Sequence, residues 1–116
     1  MLKCEIDYKM KRLEGKEILT DIELLVILDV TGLKDKEVFE KHVIKEGFSK
    51  VPNEEFVYTA KSTTTTFATK AYILEVFKKG LQKTQFESCS MVFLLNETPY
   101  PAYVYDKVTH DFEEVK

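Results

Sequence analysis

Asp29 closes the apolar run Leu24-Leu25-Val26-Ile27-Leu28 and is followed by Val30-Thr31-Gly32. A carboxylate at the C-terminal end of a strand can hold a divalent cation, and a two-fold axis nearby would bring in its copy. Paired carboxylates suit Mg²⁺, which takes oxygen ligands and keeps several waters. The competing reading is local: an Asp ahead of a Gly turn bonds its own backbone and needs no metal. Turn chemistry accounts for Asp29 fully, and residue type and position alone favour it.

A second candidate is the hydroxyl run Ser62-Thr63-Thr64-Thr65-Thr66 between Lys61 and Lys70. It precedes an expected helix, whose first backbone N–H groups and dipole favour an anion such as phosphate. Ser62, Thr64, Thr66 and Lys70 are the candidate anion-binding residues. No Gly lets the backbone wrap a phosphate closely, so an ordinary capped helix start is the simpler reading.

Tyr100, Tyr103 and Tyr105 punctuate the last expected strand, with Phe112 beyond. Aromatic residues on an edge can stack bases or anchor a partner, and these three are interface candidates; finishing a core is the alternative. His42 falls on a helix stripe and His110 in the C-terminal tail, and neither accompanies a Ser or Cys in a nucleophile pattern. Cys4 and Cys89 form no CxxC and no zinc-spaced cluster, and each sits in an apolar strand pattern. Two reduced core thiols are expected.

These residues must be positioned by a short series of elements. Leu2, Cys4, Ile6, Tyr8 and Met10 alternate with charged neighbours, which predicts a half-buried strand over 2–10. Residues 22–30 are apolar on both faces and rich in β-branched side chains. A strand is expected there, although Thr20 and Glu23 could instead form a capping box. A helix follows from Asp35 as N-cap to Gly47 at its end, with Val38, Phe39, His42 and Val43 in one stripe and Phe48 closing the helix end. Lys50 to Asn53 is an expected short edge strand limited by Pro52, and Phe56 to Lys61 the next strand. A second helix over 67–79 places Phe67, Ala71, Leu74 and Phe77 inward, with Gly80 at its end. Strands over Ser90–Leu95 and Ala102–Tyr105 complete the series, and the charged tail from Lys107 is expected to be loosely held.

Strand, helix, short strand, strand, helix, strand is a ferredoxin-like βαββαβ order in an α+β domain. The core spans about 21–95, with an extra N-terminal strand over 2–10 and a short C-terminal strand and tail over 100–116. A sheet carrying helices on one side should be polar on the other. Here Leu24, Val26 and Leu28 oppose Leu25 and Ile27, and Val92 and Leu94 oppose Met91, Phe93 and Leu95. The second apolar face needs a cover. The N-terminal strand could supply part of it; a second subunit is the simpler cover, so a homodimer is expected.

At 116 residues the chain fits a single domain, which buries roughly 65% of its unfolded surface. The formal net charge of −3 argues against general nucleic-acid binding, which a basic surface would announce. The N-terminus alternates charged and apolar residues and is not read as a signal peptide, and no apolar stretch approaches the ~20 residues a membrane span needs. A cytoplasmic protein with no membrane partner is expected.

The stretch Leu25-Val26-Ile27-Leu28-Asp29-Val30-Thr31, then Gly47-Phe48-Ser49-Lys50-Val51, Phe56-Val57-Tyr58 and Ser90-Met91-Val92-Phe93, resembles the small CRISPR-associated adaptation nuclease family. Virulence-associated protein D belongs to the same ferredoxin-like group. The resemblance covers roughly residues 24–95 and implies a dimer, with Asp29 as the catalytic and metal-binding residue in those members that cut RNA or DNA. It implies Mg or Mn for that activity alone; otherwise no cofactor is expected. Pro52-Asn53-Glu54-Glu55-Phe56 departs from the polar-Ser-hydrophobic signature of that family. Two functions follow: a homodimeric interaction or regulatory module that binds a protein or small ligand without catalysis, or a metal-dependent, ribonuclease-like endonuclease with Asp29 of both subunits at the dimer axis. The acidic charge and the departure favour the module.

Overall fold

The computed structural model describes Thr20 to Val115. The strand expected over 2–10, with Cys4, lies outside the described residues. Within them the fold is mixed α+β: seven strands in one antiparallel sheet, with two helices.

The apolar run that could have been helix or strand is a strand, β1 (Thr20–Thr31). Its burial has period two: Ile22, Leu24, Val26 and Leu28 are buried, and the residues between them are exposed or half-buried. The capping box is not realised because β1 pairs on both sides, with β3 (Val57–Thr64) and with β4 (Ser88–Leu95).

Gly32, in the left-handed region at φ +69°, turns the chain out of β1. Helix α1 (Lys36–Lys45) begins where Asp35 accepts a hydrogen bond from the Val38 amide at 3.1 Å. It ends at Gly47, whose φ of +112° suits a residue without Cβ, and the Phe48 amide then donates to the Val43 carbonyl. Phe39, Val43 and Phe48 are buried; Val38 lies at the outer margin of the expected stripe. Strand β2 is Ser49–Lys50, one residue earlier and shorter than the expected 50–53.

Helix α2 (Thr66–Gln82) starts from Thr65, whose hydroxyl accepts from the Ala68 amide. Its inward face is Thr69, Ile73, Val76, Phe77, Gly80 and Leu81. This corrects the expected stripe: Phe67 is 79% exposed and Ala71 is exposed, while Phe77 holds its place. Gly80 lies within the helix rather than beyond it. A Cβ there would stand 3.1 Å from the Phe39 ring, so the glycine is the place where α1 and α2 approach closely.

After β4, Asn96 and Glu97, both at positive φ, make a two-residue turn into β5 (Thr98–Pro99). The chain continues through β6 (Tyr103–Asp106) and β7 (Asp111–Glu114). The tail expected to be loose is therefore a hairpin: β6 and β7 pair along four positions, Phe112 is buried against Tyr105, and Asp106 accepts from the Val108 amide at 2.8 Å. The sheet order is β2-β3-β1-β4-β6-β7, with β5 paired to β4. The core includes Tyr58, Phe39, Phe48, Phe77, Phe93 and Met91, all fully buried. No helix among the described residues is long and apolar enough to cross a membrane.

Candidate functional site

Because side chains alternate along a strand, the register fixes what stands on the face opposite the buried one. Leu25 lies between Thr59 and Leu94, and Ile27 between Val57 and Val92. Ile27 is 40% and Val92 37% exposed, and Leu25, Leu94 and Val57 are half-buried. Val104, opposite Ser90 on β6, extends the patch outward. The expectation that this second face is apolar is met at the centre of the sheet.

Its two ends are polar and unlike. At one end Glu23 pairs with Lys61 and Asp21 with Thr63, whose hydroxyl donates to the Asp21 carboxylate at 3.1 Å. A groove of about 580 Å³ opens here, lined by Glu23, Leu25, Ser49, Thr59, Lys61 and Leu94 among others. At the other end Asp29 pairs with Ser90, and beyond it the hydroxyls of Thr31 and Ser88 share a hydrogen bond of 2.7 Å. On this face of β1, β3 and β4, among the described residues, Lys61 is the one cation.

Asp29 itself is exposed and shares this face with Leu25 and Ile27. Among the described residues no three His, Cys, Asp or Glu side chains group closely enough to hold a metal ion. With Asp29 alone from the described residues, the rest of the oxygen set that Mg²⁺ takes would come from water, a second copy or a substrate. The Asp29 charge is felt by its neighbour Cys89, on the opposite face of the sheet. Burial first, and Asp29 second, push the Cys89 thiol up to about 12. A thiol so held is not a nucleophile, and Cys89 is the buried, free thiol expected of it.

The hydroxyl run is divided between two elements. Ser62 and Thr64 belong to β3, Thr66 is the first residue of α2, and Thr65 spends its hydroxyl on the cap. Ser62 is hydrogen-bonded to buried Thr69 at 2.9 Å, and Lys70 lies over the Tyr100 ring at 5.2 Å. Ser62 and Lys70 are thus engaged inside the fold rather than turned toward a common anion.

Of the tyrosines, Tyr103 and Tyr105 are core residues. Tyr103 stacks on Phe93 at 5.8 Å, and Tyr105 meets Phe86 and Phe112 edge-on. Tyr100 is half-buried and also stacks on Phe93, at 5.7 Å. Of the two readings open for these residues, their packing supplies the core one. His42 is half-buried, its Nε2 has no hydrogen-bond partner among the described residues, and burial lowers its pKa, with Lys83 adding to the effect. The opposed placement of Lys61 and Asp29 was missed from sequence, because it depends on which residues stand side by side across strands.

Protein-family models, curated proteins and solved structures were compared with the chain, and none matches.

Proposed function

We propose that the chain is a binding module without catalysis that works as a homodimer, the open face of its sheet being the surface that associates. The apolar centre formed by Leu25, Ile27, Val92 and Leu94 carries this reading. An antiparallel sheet facing water would alternate apolar with polar residues, and these strands do not. We read the core as ferredoxin-like: the spatial order β2-β3-β1-β4, with α1 following β1 and α2 following β3, is the arrangement of a βαββαβ unit. Strands β6 and β7 widen it at the β4 edge.

Light scattering across a concentration series tests the dimer. A mass of two chains at micromolar concentration supports it, and a single-chain mass throughout counts against it.

The second reading, a metal-dependent endonuclease, is favoured by one observation: Asp29 stands on the same open face as the apolar patch. Incubation with RNA and with single- and double-stranded DNA, in Mg²⁺ or Mn²⁺, decides between the two. Cleavage lost in Asp29→Ala with the dimer intact would establish the nuclease. No cleavage by the unaltered chain supports the module.

A further inference from the structure

We infer that the groove between α1 and the end of α2 binds a small organic phosphate, its phosphate held by Lys41, Lys45 and Lys83 and its carbon body laid on Val38. The groove lies on the helical side of the molecule, away from the open face of the sheet, and is present whether the chain works as one copy or two.

The groove has a volume of about 410 Å³ and is lined by Val38, Lys41, His42, Lys45 and Lys83. Its shape follows from the helix pair. Val38, Lys41, His42 and Lys45 are spaced three and four apart, so they make one stripe along α1. Gly80 lets α2 come close to that stripe, since a Cβ there would stand 3.3 Å from His42 Cδ2. Lys83, the C-cap residue that follows, is thereby brought to the same opening. A space of this size takes a small molecule rather than a bare ion.

Three ammonium groups around one depression repel each other, and a dianion set among them relieves that repulsion. His42 already feels their field. After burial, the Lys83 charge lowers its pKa and Lys45 adds to this, while Glu46 opposes them. Other helix lysines are matched to carboxylates: Lys36 meets Glu55 at 3.0 Å, and Lys78 and Lys79 meet Glu75 at 3.2 and 3.3 Å. The groove lysines make no such pair among the described residues. Helix dipoles favour cations where Lys45 and Lys83 stand, but the last carbonyls there are taken by backbone donors. The Glu46 amide donates to the His42 carbonyl at 3.1 Å, and the Lys83 amide to the Gly80 carbonyl at 3.3 Å. Lys41 lies outside the last turn of α1, where the dipole effect has fallen off. Each ammonium offers three donors and a point charge, which suits a phosphate. Val38, 36% exposed, adds apolar contact for a carbon body beside it.

Proton NMR of the full chain tests the site through the ring signals of His42 and His110, told apart by the loss of one set in His110→Gln. Phenyl phosphate is the probe, and sodium chloride at equal ionic strength the control. Phenyl phosphate should move the His42 signals saturably, leave those of His110 nearly in place, and bind more tightly than inorganic phosphate. Lys41→Gln and Lys83→Gln should each weaken binding about tenfold, the effect of losing one charge-assisted contact, with the urea midpoint unchanged. Lys61→Gln, on the open face of the sheet, should leave binding within about twofold. No saturable movement of His42, or equal movement with sodium chloride, overturns the site. Equal weakening by Lys61→Gln reduces the effect to overall charge and overturns it as well. A polyglutamate peptide that binds more tightly than phenyl phosphate overturns the ligand class and assigns the groove to an acidic protein surface.

Discussion

The Tyr58 hydroxyl, carried on a side chain buried between the sheet and α1, donates to the Glu40 carboxylate at 3.0 Å, and the Lys50 ammonium reaches the same oxygen at 3.2 Å. This ties α1 to β3 and to the edge strand β2 through one acceptor. Burial, then the Glu40 charge, raise the Tyr58 pKa well above its ordinary 10.0. A group whose pKa is raised by folding contributes stability that is present below its unfolded value and lost as pH climbs toward the folded one. Stability should therefore decline above pH 10, measured as urea midpoints across an alkaline series. Tyr58→Phe should flatten that decline only in part, since Tyr72 and Tyr103 are shifted in the same direction. At neutral pH the same variant should lose about 1.5 kcal/mol, the worth of a hydrogen bond to a charged acceptor.

If the open face is an interface, its centre can be made polar without harming the fold. Ile27→Thr with Val92→Thr keeps β-branched residues at neighbouring positions of β1 and β4 that helices do not cover. The monomer should stay within about 1 kcal/mol of the original in urea unfolding. The dimer dissociation constant should rise by at least about a hundredfold, since each chain loses apolar contact at both positions. Loss of folding and loss of association in equal measure would mean the patch serves the chain's own core.

How much of this was legible in the sequence depended on the range of the cause. Asp35 and Gly47 announce the ends of α1 because a cap and a left-handed turn are local events. The strand β1 is legible through Val26 and Ile27 and through the Gly turn behind it, although its capping-box alternative is removed only by pairing on both edges. Phe67 misleads for the opposite reason. It is the largest apolar residue in the first turn of α2, yet the helix turns Thr69 inward to meet Ser62 and leaves Phe67 outside. A Thr fully buried on a hydroxyl–hydroxyl contact has no signature in hydrophobic periodicity. The β7 strand hid behind charge, with Phe112 its one buried side chain. At the candidate site, Asp29 stood out by type, whereas the opposition of Lys61 and Asp29 became visible only with the register.

The C-terminal hairpin should be a structural part of the domain rather than a removable tail. Phe112→Ala empties a buried site against Tyr105 and should cost about 3 kcal/mol in chemical unfolding. Val108, 87% exposed at the hairpin turn, provides the control. Val108→Asp should change stability by no more than about 0.5 kcal/mol. Equal small effects from the two substitutions would show that β7 is not docked in solution.

Gly80 offers the sharpest test of the helix pair. In an open helix, Gly→Ala stabilises by about 1 kcal/mol, because alanine loses less backbone freedom on folding. Here the added methyl would stand 3.1 and 3.2 Å from two Phe39 ring carbons and 3.3 Å from His42 Cδ2. Phe39 cannot swing aside: it is fully buried, with Phe56, Tyr58 and Phe77 around its ring at 6.2, 6.3 and 6.2 Å between centroids. Relief must come from moving α1 away from α2, an overpacking cost of about 1–3 kcal/mol that outweighs the propensity gain. Gly80→Ala should therefore destabilise the domain, and Gly80→Ala combined with Phe39→Leu should recover part of the loss. Non-additivity in that double-mutant cycle measures the contact directly. A Gly80→Ala variant more stable than the original would mean that the two helices stand further apart than their packing shows.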